Sequence, residues 1–372
     1  MLNIKTANSN ADDINFSLKE IIDGIKQDSI KLIFFFVSTK YDFYLVSRTM
    51  NEEFPNTDVV GCTTAGEIGP DGFSEDSISA MSIAADNFET STYIMKNIKS
   101  WSMLSRDNLL AAGGKIGIKS GDSAQCFAIS LIDGLQSSEE KVMNCIANAF
   151  PNIGIVGASA GDDNKFEKTF VSANGEVWQD AAVITFVKTD KKFLLYKENI
   201  YRPTEVQFKV TKSDICNRIV YEFNDKPAAE EYANALGISI NDLPEAFISN
   251  PTGRIIMDNV WIASPQKLID EKYLKYYCAI SPNSIVKILK PTDTLKEAEN
   301  TSLIIRKTLP NCKGVLLFNC ILRYKLFKKN NLCSQVAAEY AKCGPICGFN
   351  TYGEQFNKLH VNQTLTLLAL GE

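Results

Sequence analysis

The chain has 372 residues, of which 45% are hydrophobic and 22% charged, and its formal net charge is −5. This length favours two domains or one large duplicated domain, and the composition is typical of a folded soluble protein. A negative net charge argues against a nucleic-acid-binding surface, which needs a concentrated excess of Lys and Arg. The longest apolar runs, at 32–37 and 126–132, are far too short to span a membrane, and the N-terminus has no apolar signal region. A cytoplasmic protein is therefore predicted.

The first part of the chain predicts helix, strand, helix, strand, loop and strand in that order. Apolar residues at helical spacing indicate the first helix, and a nearly continuous apolar run is typical of a strand covered on both faces. The predicted segments are a helix at 12–27, a strand at 31–37, a helix at 41–54, a short strand at 59–60 and a strand at 78–85.

This order returns twice. In the middle of the chain the predicted segments are a helix near 108–112, a strand at 126–132, a helix at 138–150, a strand at 153–156, a hairpin at 169–178 and a strand at 181–187. The hairpin turns at Asn174-Gly175, a strong two-residue turn signal. Near the end the predicted segments are a strand at 314–320, a helix at 332–342, a short strand at 345–347 and a strand at 363–370.

The region between these units has a different pattern. It predicts helices at 213–221, 227–236 and 294–308, with short strands and turns over 243–293. The Lys-rich run 323–329 predicts a solvated strand end and loop. Because roughly thirty residues separate the paired strands of each unit, right-handed parallel crossovers are expected, with the returning strand antiparallel. We therefore predict an α/β fold of repeated β-α-β-β units, forming mixed, mainly parallel sheets in two halves, 1–200 and 201–372.

One short loop motif occurs three times at the ends of these strands. Loop 1 (61–67) reads Gly-Cys-Thr-Thr-Ala-Gly-Glu, and loop 3 (348–354) reads Gly-Phe-Asn-Thr-Tyr-Gly-Glu. Loop 2 (157–163), Gly-Ala-Ser-Ala-Gly-Asp-Asp, is a looser copy whose acid comes one residue earlier. Internal repeats indicate architecture, and ligands of open α/β sheets bind beyond the carboxyl ends of parallel strands, where these loops fall.

The loops carry the groups that a small zwitterion such as an amino acid needs. Glycines allow turns that aim backbone amides at one point, Thr and Ser hydroxyls donate and accept, and the acids can hold an ammonium. Arg323 is the natural partner of a ligand carboxylate. The alternative is that the loops are tight turns whose side chains cap local backbone. The predicted ligand contacts are Cys62, Thr63, Thr64, Gly66, Glu67, Ser159, Gly161, Asp162, Asp163, Arg323, Asn350, Thr351, Tyr352, Gly353 and Glu354.

Two chemical alternatives remain open. Gly157-x-Ser159-x-Gly161 has the spacing of a nucleophile elbow, and a serine hydrolase using Ser159 is therefore one alternative, although an elbow needs a helix directly after the serine. His360 is the single histidine, which excludes multi-histidine zinc sites, and no phosphate-binding glycine motif is present. A lone histidine can still be an axial haem ligand or a hydrogen-bonded structural residue. No catalysis and no resident cofactor or metal are predicted, with haem at His360 as the alternative.

Several blocks in fixed order resemble the FIST sensory domain over nearly the whole chain. The residues that carry this resemblance are 61–68, 157–163 with 180–182, 226–228 with Tyr232, 317–320 with Arg323, 348–354 and 360–364. Asn319 stands where this family usually has Ser, which puts a hydroxyl contact at that position in doubt.

The resemblance implies a FIST N-like domain at 1–200 and a FIST C-like domain at 201–372. It also implies a small-ligand sensor that is proposed to bind amino acids and is often joined to histidine kinases, cyclases or chemoreceptors. Some relatives bind haem and sense nitric oxide. The N-terminal part begins almost at once and the last block ends near Glu372, so we expect either signalling through a separate partner, such as one of these kinds, or ligand binding alone, with no nucleic-acid or membrane partner.

Overall fold

The computed structural model describes residues 1–100, 105–256 and 259–372. Its helices are α1 (Ile14–Ile25), α2 (Phe43–Glu53), α3 (Ser105–Gly114), α4 (Glu139–Ala149), α5 (Ala228–Leu236), α6 (Leu243–Ser249), α7 (Thr294–Thr308), α8 (Ile321–Lys329) and α9 (Cys333–Ala341). Within the described ranges, no helix is both long enough and apolar enough to cross a membrane.

The strands up to residue 200 are β1 (Leu2–Ser9), β2 (Ile30–Val37), β3 (Asp58–Thr63), β4 (Glu67–Gly69), β5 (Gly72–Ser74), β6 (Ile78–Ala85), β7 (Phe88–Lys96), β8 (Cys126–Ile132), β9 (Gly154–Ser159), β10 (Val171–Ala173), β11 (Glu176–Trp178), β12 (Ala181–Thr189) and β13 (Lys192–Asn199). Those that follow are β14 (Tyr201–Asp214), β15 (Ile219–Phe223), β16 (Lys226–Pro227), β17 (Thr252–Ile256), β18 (Asn259–Ala263), β19 (Pro265–Ile269), β20 (Tyr273–Tyr276), β21 (Ile285–Pro291), β22 (Cys312–Cys320), β23 (Ile346–Thr351), β24 (Glu354–Phe356), β25 (Leu359–Val361) and β26 (Thr364–Gly371).

Three six-stranded sheets form the body of the protein. Their strand orders are β1-β6-β2-β3-β10-β11, β7-β12-β8-β9-β24-β25 and β13-β26-β22-β23-β4-β5. Each contains a parallel pair, β2 with β3, β8 with β9 and β22 with β23, next to an antiparallel returning strand. These strand pairs are parallel, as predicted. The sheets are mixed, as predicted, but they are largely antiparallel rather than mainly parallel, because returning strands and hairpins flank each parallel pair.

The three sheets exchange hairpins in a cycle. The hairpin that follows loop 1, β4-β5, completes the third sheet; the one that follows loop 2, β10-β11, completes the first; and the one that follows loop 3, β24-β25, completes the second. Residues from both sides of position 200 therefore share two of the three sheets. This exchange brings the three loops to the centre of the body.

One hydrophobic core lies between the three sheets. Phe36 of the first sheet packs against Phe318 and Phe349 of the third, with ring centroids 6.3 and 4.7 Å apart, and Phe127 of the second sheet belongs to the same cluster. Helices cover the outer faces: α1 and α2 the first sheet, α3 and α4 the second, and α7, α8 and α9 the third. Each predicted parallel strand is therefore buried on both faces, which explains its continuous apolar sequence.

A fourth sheet lies outside this threefold body. Its strand order is β18-β17-β21-β14-β15-β20-β19, with β16 beside β15, and it packs with α5 and α6 around a separate core. The helix predicted at 213–221 is wrong, because the chain reverses there between β14 and β15. Asp214 accepts the backbone N–H of Asn217 at 3.0 Å, and Arg218 has φ of 55°, so this segment is a tight turn.

Two further expectations need correction. Residues 323–329 form most of α8, not a strand end and loop; Leu326 and Phe327 are buried, while Lys328 and Lys329 lie in the last turn, where cations favour a helix. The segment 243–293 begins with helix α6, although the strands and turns predicted after it are present. The remaining predicted helices and strands are confirmed within a few residues of their predicted ends.

Candidate functional site

The three repeated loops meet one another through their backbones. The bonds between them run from Ala65 N–H to the Asn350 carbonyl oxygen (3.0 Å), from Gly161 N–H to the Thr63 oxygen (3.0 Å), and from Ser159 N–H to the Gly353 oxygen (2.7 Å). Each loop is thus bonded to both of the others. The loops therefore converge at the centre of the body, and neither of the two cavities described below is lined by residues of all three.

The first glycine of each loop is required by close strand packing. A Cβ added at Gly61, Gly157 or Gly348 would collide with the carbonyl oxygen of the residue opposite it on the parallel neighbour, which is Phe35, Ser130 or Leu317. The repeated glycine therefore serves strand approach in all three copies, independently of any ligand.

The glutamates that end loops 1 and 3 are fully buried and fully bonded. Glu67 accepts hydrogen bonds from the Thr64 hydroxyl and from the N–H and hydroxyl of Ser77, the last two at 3.1 and 2.6 Å. Glu354 accepts them from the Thr351 hydroxyl at 2.5 Å and from the N–H and hydroxyl of Thr364 at 3.0 and 2.8 Å.

Burial raises the pKa of both carboxyls, that of Glu67 to about 8 and that of Glu354 to about 7. In each copy the glutamate ties a threonine three residues before it to a hydroxyl residue ten residues after it. These contacts are the local capping that the sequence left open as the alternative to ligand binding.

Other predicted contact residues are also occupied inside the protein. Thr63 accepts the N–H of Phe170 at 3.0 Å, and Asp163 accepts the N–H of Thr39 at 2.7 Å. Cys62 lies in the central core, where burial raises the pKa of its thiol well above the usual range. Asn350 has one amide oxygen bonded to Asn319, while its amide nitrogen has no hydrogen-bond partner among the described residues.

Arg323 is the largest fully buried side chain of the body. Its guanidinium forms an ion pair with buried Glu198, donates to the Asn319 side-chain oxygen at 3.0 Å and lies near the Tyr340 hydroxyl. The planar fork that we expected to hold a ligand carboxylate is therefore already occupied by a carboxylate of the chain itself. Neither of the two cavities described below is lined by Arg323.

A cavity of ≈480 Å³ lies beside loops 2 and 3, where the body faces the fourth sheet. This volume lies in the range typical of small-molecule sites. Its lining residues are Gly134, Leu135, Ser137, Glu139, Phe166, Arg218, Gln266, Lys267, Lys275, Tyr276, Tyr277 and Tyr352. Among the predicted contact residues, all of which are described, Tyr352 alone lines it. A second, much smaller cavity shares Phe166, Tyr277 and Tyr352 with it.

Asp162 positions two aromatic rings, those of Phe166 and Tyr352, that line this cavity. Its carboxylate accepts the backbone N–H groups of Phe166, Glu167 and Lys168 at 2.9, 2.6 and 2.9 Å and the hydroxyl of Tyr352 at 2.5 Å. These bonds hold the segment after loop 2 against loop 3. The ring of Phe166 consequently stacks on that of Tyr352, with centroids 4.9 Å apart and planes 12° apart.

An ion-pair cluster closes the opposite side and joins the two parts of the protein. Arg218, between β14 and β15, bonds to Glu139 and Glu140 of α4 at 2.6 and 2.5 Å. The hydroxyl of Ser159 donates to the other oxygen of Glu139 at 3.3 Å, and Gln355 donates to Ser159 at 3.1 Å. Ser159 is therefore not a lining residue itself, but it is hydrogen-bonded to Glu139, which lines the cavity.

Two lysines complete the lining. Lys267 of β19 and Lys275 of β20 are direct cross-strand partners, and neither forms an ion pair with any described residue. Neither lysine was predicted from the sequence as a site residue, and neither were Arg218 and Phe166. No local sequence motif marks these residues. Three of them, Lys267, Lys275 and Arg218, lie in the fourth sheet or in the turn between its strands β14 and β15, and the strand pairing of this sheet was not predicted.

The haem alternative does not fit the surroundings of His360. Its ring is almost fully buried against Gly353, where even a Cβ would collide with it, and its Nε2 lies 3.4 Å from the Asn362 amide. Neither described cavity is lined by His360, so neither gives a planar macrocycle access to its ring.

The serine hydrolase alternative has no geometric support either. Ser159 is buried, it ends β9, and the chain after it forms the Asp162-held segment and a hairpin instead of the helix that a nucleophile elbow requires. In the described structure its hydroxyl contacts Glu139 and Gln355, and no imidazole.

Comparison with known proteins gives one clear assignment. The FIST N domain matches residues 31–226 and the FIST C domain matches residues 228–357. The chain is also 24% identical to an uncharacterized protein, MJ1623, of Methanocaldococcus jannaschii, over 83% of this chain; it spans 66% of that protein, just under two thirds of its length.

Two solved structures have low similarity to the chain. The "Structure of PurLQS from Thermotoga maritima" has 12% identity and a TM-score of 0.22, covering 100% of this chain and 72% of that chain. "T. maritima PurL complexed with ATP" has 10% identity and a TM-score of 0.19, covering 100% of this chain and 71% of that chain. Scores this low carry no argument about fold or function.

FIST domains are small-ligand-binding sensory domains of signal transduction. The two matched segments leave little of the chain outside them, and the repeated loops that carried the resemblance lie within them. The chain belongs to the FIST family.

Proposed function

We propose that this protein senses a small metabolite, such as an amino acid, that binds in the ≈480 Å³ cavity between the body and the fourth sheet. The observation that carries this proposal is the lining of that cavity, in which aromatic rings, two lysines without ion-pair partners and a buried ion-pair cluster face one space. Largely preformed cavities with a few convergent polar groups are typical small-molecule sites.

The predicted loop residues act here mainly by shaping the cavity. Tyr352 contacts the ligand directly, Asp162 holds Tyr352 and Phe166 in place, and Ser159 holds Glu139. Among the other predicted residues, Glu67 and Glu354 fix their loops, Asp163 bonds to Thr39 and Arg323 pairs with Glu198. This division of roles follows from the contacts that each side chain already makes.

The position of the cavity supports a sensory role. Its walls come from two parts of the protein, and Arg218 of one part is bonded to Glu139 and Glu140 of the other. A ligand that contacts both parts stabilises their arrangement relative to any other arrangement. We propose that a separate histidine kinase, cyclase or chemoreceptor detects this change.

A ligand screen followed by calorimetry tests the proposal. The full chain is heated with single amino acids and related metabolites, because a ligand that binds the folded state alone raises the unfolding midpoint. Each ligand that raises it is titrated calorimetrically into wild type and into Tyr352→Ala and Lys275→Ala. We expect binding to weaken at least about tenfold in both variants.

The matched control is Lys272→Ala. Lys272 is exposed on the same hairpin as Lys275 and does not line the cavity, so this variant should bind like wild type. Binding that survives both cavity variants but is lost in folded Glu67→Gln would place the ligand at the loops and reject the cavity. The absence of any ligand would reject the sensory proposal.

A further inference from the structure

The two cavity lysines form an unusual pair. Lys267 and Lys275 are directly opposite each other on neighbouring antiparallel strands, so their side chains project from the same face of the sheet. Like charges in this arrangement destabilise a sheet. Within the described ranges neither lysine forms an ion pair; Lys267 is exposed and Lys275 is partly buried. Both side chains line the cavity, where an anion between them would relieve the repulsion.

The acid that lines the same cavity is already bonded. Glu139 accepts Arg218 on one oxygen at 2.6 Å and Ser159 on the other at 3.3 Å. No other carboxylate is among the described lining residues. A ligand ammonium would therefore have to displace Arg218 from a buried carboxylate, which leaves a buried charge without its partner. The cavity therefore offers two lysines to a negative group and no unpaired carboxylate to a positive one.

Aromatic rings supply the rest of the lining. Phe166, Tyr277 and Tyr352 border the cavity, and Phe166 is stacked on Tyr352 while 46% of its own surface remains exposed. Its backbone φ of 56° is unusual for a phenylalanine and is maintained by the hydrogen bonds to Asp162. Offset ring stacking adds to the attraction of an aromatic ligand beyond simple burial.

We infer that the ligand is a small aromatic anion, an arylalkanoic acid or an aromatic amino acid, recognised through its ring and its carboxylate. The carboxylate binds between Lys267 and Lys275, and the ring packs against the wall of Phe166, Tyr352 and Tyr277. An α-amino group is dispensable. This inference rests on the proposed function, since it names the ligand class of the same cavity.

A matched ligand series tests the inference by calorimetry on the full chain. The probes are 3-phenylpropionate, its hydroxyphenyl and indole counterparts, L-phenylalanine, phenethylamine, propionate and inorganic phosphate. At least one arylpropionate should bind within about tenfold of the corresponding amino acid, while phenethylamine and propionate should bind at least about a hundredfold more weakly. Inorganic phosphate should not compete with the aryl ligand.

Variants identify the two halves of the ligand. Lys267→Ala/Lys275→Ala should weaken the arylpropionate at least about thirtyfold and abolish the salt dependence of its affinity, while Lys272→Ala changes neither. Lys275→Arg should retain binding. Phe166→Ala should weaken aryl ligands about tenfold, and circular dichroism checks that each variant is folded.

The outcomes separate this inference from the proposed function. Tight binding of an aliphatic amino acid that ignores the lysine double variant but is lost in Tyr352→Ala would overturn the aromatic-anion inference and leave the cavity as the sensory site. Tighter binding of phenethylamine than of 3-phenylpropionate would also overturn the inference. No binding by any probe or metabolite would overturn both.

Discussion

Glu67 and Glu354 occupy the same place in two copies of one loop. Each accepts a hydrogen bond from the threonine three residues before it, and each accepts both the N–H and the hydroxyl of the residue ten positions after it. Both carboxyls are completely buried. The motif that most suggested a ligand pocket is therefore a clamp that fixes each loop to the strand or strand edge that follows it.

This clamp predicts that the free energy of unfolding falls as pH rises. Burial raises the pKa of Glu67 to about 8 and that of Glu354 to about 7, from an ordinary value of 4.5. Between these limits the folded chain keeps protons that the unfolded chain has released, so the stabilisation is complete below about pH 4.5 and is lost as pH rises through the folded values. Each carboxyl contributes a slope of at most about 1.4 kcal/mol per pH unit.

Urea unfolding between about pH 5 and about pH 8 measures this slope. Glu67→Gln and Glu67→Gln/Glu354→Gln should show progressively flatter dependence, because glutamine stays neutral throughout. The exposed Glu53→Gln is the control and should follow wild type. Parallel curves for wild type and the double variant would contradict the assignment.

The first loop glycine predicts a severe effect of a single methyl group. Gly157→Ala places a Cβ against the carbonyl oxygen of Ser130 on the neighbouring parallel strand, and that backbone has no room to move within a buried sheet. We expect the free energy of unfolding to fall by at least about 2 kcal/mol, or the chain to remain insoluble.

Gly114→Ala provides the matched control. A Cβ at Gly114, the last residue of α3, meets no atom within 4 Å, and alanine favours a helix over glycine. This variant should be neutral or stabilised by up to about 1 kcal/mol in urea unfolding. Equal losses in both alanine variants would show that the strand contact at Gly157 is not the cause.

Much of the body could be predicted from sequence because its strands are buried on both faces and its units repeat. The run 31–37 and the run 126–132 have no polar face that could make them ambiguous. The exchange of hairpins could not be predicted, because β4, β10 and β24 are short and their partners lie in other repeats. The sequence also could not show that Glu67 and Arg323 are bonded internally, since a buried clamp and a binding loop need the same residue types.

The cavity was missed for a related reason. Lys267 and Lys275 become neighbours only when β19 and β20 pair, and Arg218 reaches Glu139 only when the fourth sheet packs against the body. Asp162 was predicted as a ligand contact, whereas in the structure it accepts three backbone N–H groups that place Phe166 at the cavity. The position of that ring depends on left-handed backbone at Asp163, Asn164 and Phe166, which residue type alone does not indicate.

The buried pair of Arg323 and Glu198 predicts a strong non-additive effect. Arg323→Met leaves the Glu198 carboxylate buried without its partner, which should lower the free energy of unfolding by about 3–5 kcal/mol. Adding Glu198→Gln should recover part of this loss, because no uncompensated charge then remains. A urea-based double-mutant cycle measures the coupling.

The same helix carries its own control. Lys328 pairs with Glu75 at 2.8 Å, but both side chains are about half exposed, so Lys328→Ala should change the free energy of unfolding by no more than about 1 kcal/mol. If Arg323→Met lowers the free energy of unfolding as little as Lys328→Ala does, the guanidinium is not needed for folding and is again a candidate ligand contact.

Replacing the Asp162 carboxylate should cause a local loss of order in the segment that forms one wall of the cavity. Asp162→Asn removes the charge that accepts three successive N–H groups and the Tyr352 hydroxyl, and hydrogen bonds to a charged acceptor contribute about 1.5–3 kcal/mol each. Segment 163–168 should therefore open while the sheets remain folded. Because Lys165 and Lys168 lie in this segment, limited trypsin digestion followed by mass spectrometry should detect early cleavage after them in the variant but not in wild type.

Glu167→Gln, on the same segment and exposed, should digest like wild type. If trypsin cleaves Asp162→Asn no faster than wild type, the segment is held by contacts other than this carboxylate, and Phe166 keeps its place on Tyr352 without it.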